Sequence, residues 1–79
     1  MKLLRVGEKG KEIVAALDLD QNIRDLSSYI EDLNPDTINF ETLEKLKEIN
    51  LNELREIDPF IRIGASISNP VDFLAIGLN

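Results

Sequence analysis

The chain has 79 residues, nine basic and fifteen acidic, a formal net charge of −6, and neither cysteine nor histidine. That length allows one domain at most, with a core small enough to need a partner surface or a longer chain; a disulfide scaffold and a zinc finger are excluded. The acidic balance argues against phosphate backbones and anionic lipid, so neither nucleic acid nor membrane is expected as a partner.

Residues 2–6 (Lys2-Leu3-Leu4-Arg5-Val6) suit a short strand, and Gly7-Glu8-Lys9-Gly10 a turn, since both glycines tolerate positive φ. Residues 12–18 read as a second strand that completes a hairpin. Alternation places Ile13, Ala15 and Leu17 on one face and Glu12, Val14, Ala16 and Asp18 on the other. Asp20-Gln21-Asn22 forms the next turn, and Ile23-Arg24-Asp25-Leu26 resumes as a third strand. Ser27 or Ser28 then caps a short helix with Leu26, Tyr29, Ile30 and Leu33 at helical spacing, ended by Asn34-Pro35. Asn39 is an N-cap for a helix from Phe40 to Ile49, with Phe40, Leu43, Leu46 and Ile49 on its apolar face. Asn50 and Glu53 have capping-box spacing, and Leu51, Leu54 and Ile57 line a second short helix stopped by Asp58-Pro59. Ile61-Arg62-Ile63-Gly64 is extended, and residues 66–70 form a loop. Phe73-Leu74-Ala75-Ile76-Gly77-Leu78 is nearly continuous apolar sequence, the pattern of a strand buried on both faces.

The pattern predicts an α+β fold: an N-terminal β-hairpin, two or three short helices and a C-terminal apolar strand. No apolar run approaches the length of a bilayer span. Met1-Lys2-Leu3-Leu4-Arg5 is not followed by the apolar stretch of a signal peptide, so a cytoplasmic location is expected.

Few residues point to chemistry. Asp18 and Asp20 are spaced as paired carboxylates, but a calcium loop needs more alternate ligands and a glycine bend, so a plain turn is the preferred reading. Glu41, Glu44, Glu48, Glu53 and Glu56, interleaved with Lys45, Lys47 and Arg55, read as a solvated face. Arg24 and Arg62 have the fork that binds a substrate carboxylate; without a pocket, a structural ion pair or a domain-interface contact is preferred for them. Ser27 and Ser28 have no histidine to activate them. Gly77 lies inside an apolar strand, where a glycine often marks close approach of backbone or ligand.

Several stretches together resemble the fumarylacetoacetate hydrolase family. They are Met1-Lys2-Leu3-Leu4-Arg5-Val6-Gly7, Leu17 to Ser27 with its Ile23-Arg24-Asp25-Leu26-Ser27 ending, and Arg62-Ile63-Gly64 followed by Pro70 and Phe73 to Asn79. The sequence departs from the family at Ala65-Ser66, where a proline often stands, and at Val71-Asp72, where Gly-Lys is frequent. The resemblance implies a small α+β N-terminal domain over residues 1–70. Residues 71–79 then begin a strand leading into a catalytic domain absent from this chain. In the family that strand is usually followed by Tyr, then a catalytic His and an acidic residue. The implied function is the non-catalytic N-terminal domain of a metal-dependent enzyme acting on small 2-oxo or diketo acids. It implies a magnesium-type ion for the intact enzyme and no cofactor in this chain. The implied partners are the missing catalytic domain or a second copy, with a homo-oligomer when intact. Gly77, Leu78 and Asn79 are the substrate-proximal candidates, at the rim of the site. An alternative function is a free-standing interaction module that associates through the apolar C-terminal strand.

Overall fold

The computed structural model describes residues 2–34 and 37–67, without the side chains of Ala65 and Ile67. Five strands form one antiparallel sheet: β1 (Lys2–Val6), β2 (Ile13–Leu17), β3 (Ile23–Asp25), β4 (Glu56–Ile57) and β5 (Ile63–Ile67), in the order β4-β3-β2-β1-β5. One helix, α1 (Phe40–Lys47), and a 3-10 turn at Leu51–Glu53 lie between β3 and β4. The domain is α+β, but richer in strand than the sequence pattern predicts.

The hairpin forms as its sequence dictates. Gly7 and Gly10 adopt φ of 112° and 89°, and Lys11 N donates to Glu8 O at 2.8 Å to close the bend. The register Lys2↔Leu17 through Val6↔Ile13 then follows. Alternation along β2 sorts its side chains as expected. Val14 and Ala16 join Leu3, Leu26, Ile30, Leu33, Ile38, Leu43 and Leu46 in one buried cluster. Ala15 joins Leu4, Val6, Ile23 and Ile57 in a second, with Ile13, Leu17 and Ile61 packed against it. The sheet therefore has apolar residues on both faces. The β3–α1 connection and α1 cover the first. The 58–62 link between β4 and β5 brings Ile61 onto the second. Ala15 and Ala16, both at 0% exposure, let these layers approach closely.

Four expectations are corrected. No helix forms over residues 26–33. A single turn there has Tyr29 N and Ile30 N donating to Leu26 O, and the residue that caps it is Asp25, whose Oδ1 accepts from Ser27 N at 2.8 Å. Leu26, Ile30 and Leu33 are buried without a helix because the first sheet face itself supplies their apolar neighbours. The second predicted helix is a 3-10 turn followed by β4, since Ile57 gains a ladder to Ile23 that a continued helix would forfeit. Phe40 is 67% exposed: it opens α1 on the solvent side of the stripe set by Leu43 and Leu46. The last extended stretch runs on as β5 to Ile67, held by pairing with Leu3 and Leu4, where a loop is predicted from Ser66. The terminal apolar strand and the boundary at residues 70 and 71 lie outside the described residues.

α1 begins where expected. Asn39 is extended at φ −137°, ψ 171°, and its side chain accepts from Thr42 N at 2.8 Å. The last turn carries Lys45 and Lys47, which favour the negative helix end.

Replacing Leu26, at 0% exposure, with alanine should destabilise the domain by about 2–5 kcal/mol in urea unfolding. Asn39→Ala should cost about 1 kcal/mol in the same assay, by loss of the helix cap. An effect of Leu26→Ala no larger than that of the cap would show that the first cluster is not the core.

Candidate functional site

The densest polar arrangement is built on the β2–β3 turn. Asp18 leaves β2 on the face of Val14 and Ala16 and is buried, at 7% exposure. A carboxylate so placed needs compensation. Its Oδ1 accepts from Asp20 N at 2.8 Å and from Asn22 N at 2.9 Å, and its Oδ2 from Arg24 Nε at 3.0 Å. Asp18 N donates to Asn22 O and Gln21 N to Asp18 O, which holds Gln21 at φ 69°. The turn is closed by the carboxylate of Asp18, not by the side chains of Asp20 and Asn22 that the sequence pattern suggests. Arg24 also donates to Leu54 O at 3.2 Å and lies 3.8 Å from Glu56 Oε1.

Beside this turn runs an open groove of about 350 Å³, lined by Asp18, Leu19, Asp20, Ile49, Asn50, Leu51 and Asn52. Its walls are Leu19, Ile49 and Leu51 with amide groups between. It can bind by apolar contact and hydrogen bonding. The carboxylate facing it from Asp18 is occupied by three donors, so it offers no general base.

The remaining charged candidates resolve into structural pairs. Arg62 Nη1 donates to Gly7 O at 3.1 Å and Glu12 Oε2 at 2.9 Å, clasping β5 to the β1–β2 turn. A side chain at Gly64 would collide with Glu12 in this pose. Asp25 Oδ2 accepts from Arg55 at 2.9 Å, and Arg5 Nε donates to Asp32 Oδ1 at 2.8 Å and Nη2 to Leu33 O at 2.7 Å. Arg24, with its side chain 15% exposed, is enclosed by its partners, while Arg62 is half exposed and is engaged through Nη1. Lys45–Glu41 and Lys47–Glu44, at 3.6 and 3.4 Å, are solvated surface pairs. Arg5–Asp32 has no counterpart in the sequence pattern. Its partners are 27 residues apart, and no local spacing announces such a pair.

No group of three or more acidic residues among the described residues is placed to hold a metal ion. The buried carboxylate of Asp18 already accepts from two backbone N–H groups and a guanidinium. Gly77, Leu78 and Asn79, the substrate-proximal candidates, lie outside the described residues. No helix among the described residues is long and apolar enough to cross a membrane.

The fold and these pairs define a small strand-rich α+β domain in which Arg5, Arg24, Arg55 and Arg62 tie distant segments together. No family model matches the chain. It is similar along its whole length to longer bacterial proteins named "putative hydrolase". Identity is 40% over 79 residues with those of Burkholderia lata and Burkholderia ambifaria, and 39% with that of Burkholderia cenocepacia. The chain spans 28% of the length of these relatives.

Three aspartates have carboxyls held below the ordinary value of 3.8. For Asp18 the main cause is the Asn22 N–H, opposed by burial and supported by Arg24. For Asp25 burial pushes upward, but Ser27 and Arg55 outweigh it. For Asp32 the cause is Arg5, then the Leu33 N–H. A folded value below the unfolded one gives stability that is complete above the unfolded value and lost as pH falls through the folded one. The melting temperature should therefore hold steady down to about pH 5 and drop below about pH 4. Asp18→Asn should lower it at pH 7 and flatten that acid slope; an unchanged slope would show that Asp18 is not a source of it.

Proposed function

We propose that this chain is the N-terminal, non-catalytic domain of a longer hydrolase of the fumarylacetoacetate hydrolase type. The observation that carries the reading is the match of all 79 residues, at 40% identity, to 28% of the length of proteins named as hydrolases. The chemistry of the described residues agrees with a supporting role. Histidine is absent, the arginines are paired internally, and the most buried carboxylate is fully hydrogen-bonded. On this reading the catalytic groups, and the magnesium-type ion implied by the resemblance, belong to the part of the protein beyond this chain. The substrate would be a small 2-oxo or diketo acid. This domain would contribute its sheet as a rigid support at the edge of the site.

The test has two parts. The codons after Asn79 should encode Tyr and, shortly after, His and Glu. The full-length product should cleave an acylpyruvate in the presence of magnesium and lose that activity on chelation. A stop codon after Asn79 would sink the reading and favour a free-standing interaction module. A longer product that is inert with magnesium would remove the enzymatic part of it.

A further inference from the structure

Leu19 and Phe60 are the most exposed large apolar side chains among the described residues, at 100% and 92%. Strand register places both at one end of the sheet. Leu17 pairs with Ile23, and Ile23 with Ile57, so the β2–β3 turn and the exit from β4 emerge side by side. β2, β3 and β4 are consecutive, so two strand spacings, about 10 Å, separate their ends.

Both side chains are presented by ordered turns. Leu19 sits in the bend that Asp18 closes with Asp20 N and Asn22 N. Phe60 follows Asp58, whose Oδ1 accepts from Phe60 N at 2.8 Å and whose carbonyl accepts from Ile61 N at 3.0 Å. An apolar group fixed in advance loses little freedom on docking, which is the condition for an anchor in an interface. The groove with Ile49 and Leu51 on its wall lies against Leu19 and extends the apolar surface.

Lys2 pairs with Leu17 and Leu3 with Ile67, so the start of β1 and the end of β5 lie at this same end of the sheet, β5 on the edge opposite β4. The segment equivalent to this chain is 28% of the length of the matched relatives, so most of their length lies outside it. We infer that Leu19 and Phe60, with the Ile49–Leu51 groove, form the surface on which the remainder of the longer polypeptide docks. This rests on the proposed existence of that remainder, but not on its chemistry. The exposed Asp20 and Asp58 stand at the same end, so the complementary surface is an apolar recess edged with Lys or Arg. A second copy is the poorer occupant: each copy brings a net charge of −6 and the same two carboxylates to the contact.

Thiol labelling of the full-length gene product tests this. Leu19→Cys and Phe60→Cys are compared with Glu8→Cys, an exposed control in the β1–β2 turn at the opposite end of the sheet. Maleimide rates are read peptide by peptide by mass spectrometry, each normalised to its rate in urea. The two test positions should react about tenfold or more slowly than the control at every protein concentration, because thiol reactivity follows access. Rates equal to the control overturn the inference. Slow rates that become fast on dilution also overturn it and assign the surface to a second copy, and a gene that ends at Asn79 removes the occupant altogether. Protection in a product without magnesium-dependent activity supports the docking surface and counts against the catalytic reading. Activity without protection does the reverse.

Discussion

The Asp18–Arg24 pair is the interaction on which the described architecture depends most. A carboxylate taken almost out of water is costly unless every acceptor site is met, and here two backbone N–H groups and a guanidinium meet it. The arrangement closes the β2–β3 turn, so it fixes the register of β3 on β2. Arg24 passes the constraint on by donating to Leu54 O, just before β4. Asp25 N donates to Arg55 O at 2.9 Å on the same approach. A two-residue edge strand has little pairing of its own, and these ties place it.

The second constraint is that the sheet buries apolar residues on both faces. An antiparallel sheet commonly keeps one face in water. Here Val14, Ala15 and Ala16 in sequence are all buried, so both faces need cover. The β3–α1 connection and α1 supply it on one side, and the link from β4 to β5 contributes on the other. That link must pass from one edge of the sheet to the other, because β4 and β5 lie at opposite ends of the strand order. Phe60 is turned out to solvent on it while Ile61 is turned in.

Local patterns were readable wherever the deciding interaction was local. The Gly7–Gly10 bend, the two faces of β2 and the Asn39 cap each depend on residues a few positions apart. The failures share a cause. Leu26, Ile30 and Leu33 have helical spacing, yet their burial comes from a sheet face assembled from distant strands. Ile57 fits a helical stripe with Leu51 and Leu54, yet Ile23, 34 positions earlier in the chain, offers it a ladder. Of the polar contacts, the Asp18 turn was visible as a turn, but the assignment of its closing carboxylate needed the geometry. The pairing of Arg5 with Asp32 and of Arg62 with Glu12 had no local signal at all.

The sequence by itself determined that the chain has one small acidic domain, a leading hairpin with a fixed alternation, and no histidine or cysteine chemistry. Those follow from composition and from side-chain periodicity, which act over a few residues. Only the tertiary structure decided that Arg5, Arg24, Arg55 and Arg62 pair with carboxylates, that β4 replaces a helix, and that Leu19 and Phe60 stand at one end of the sheet. The physical reason is that pairing across a sheet joins residues tens of positions apart. Which charge finds which partner, and which apolar group is left in water, is settled only when those strands meet.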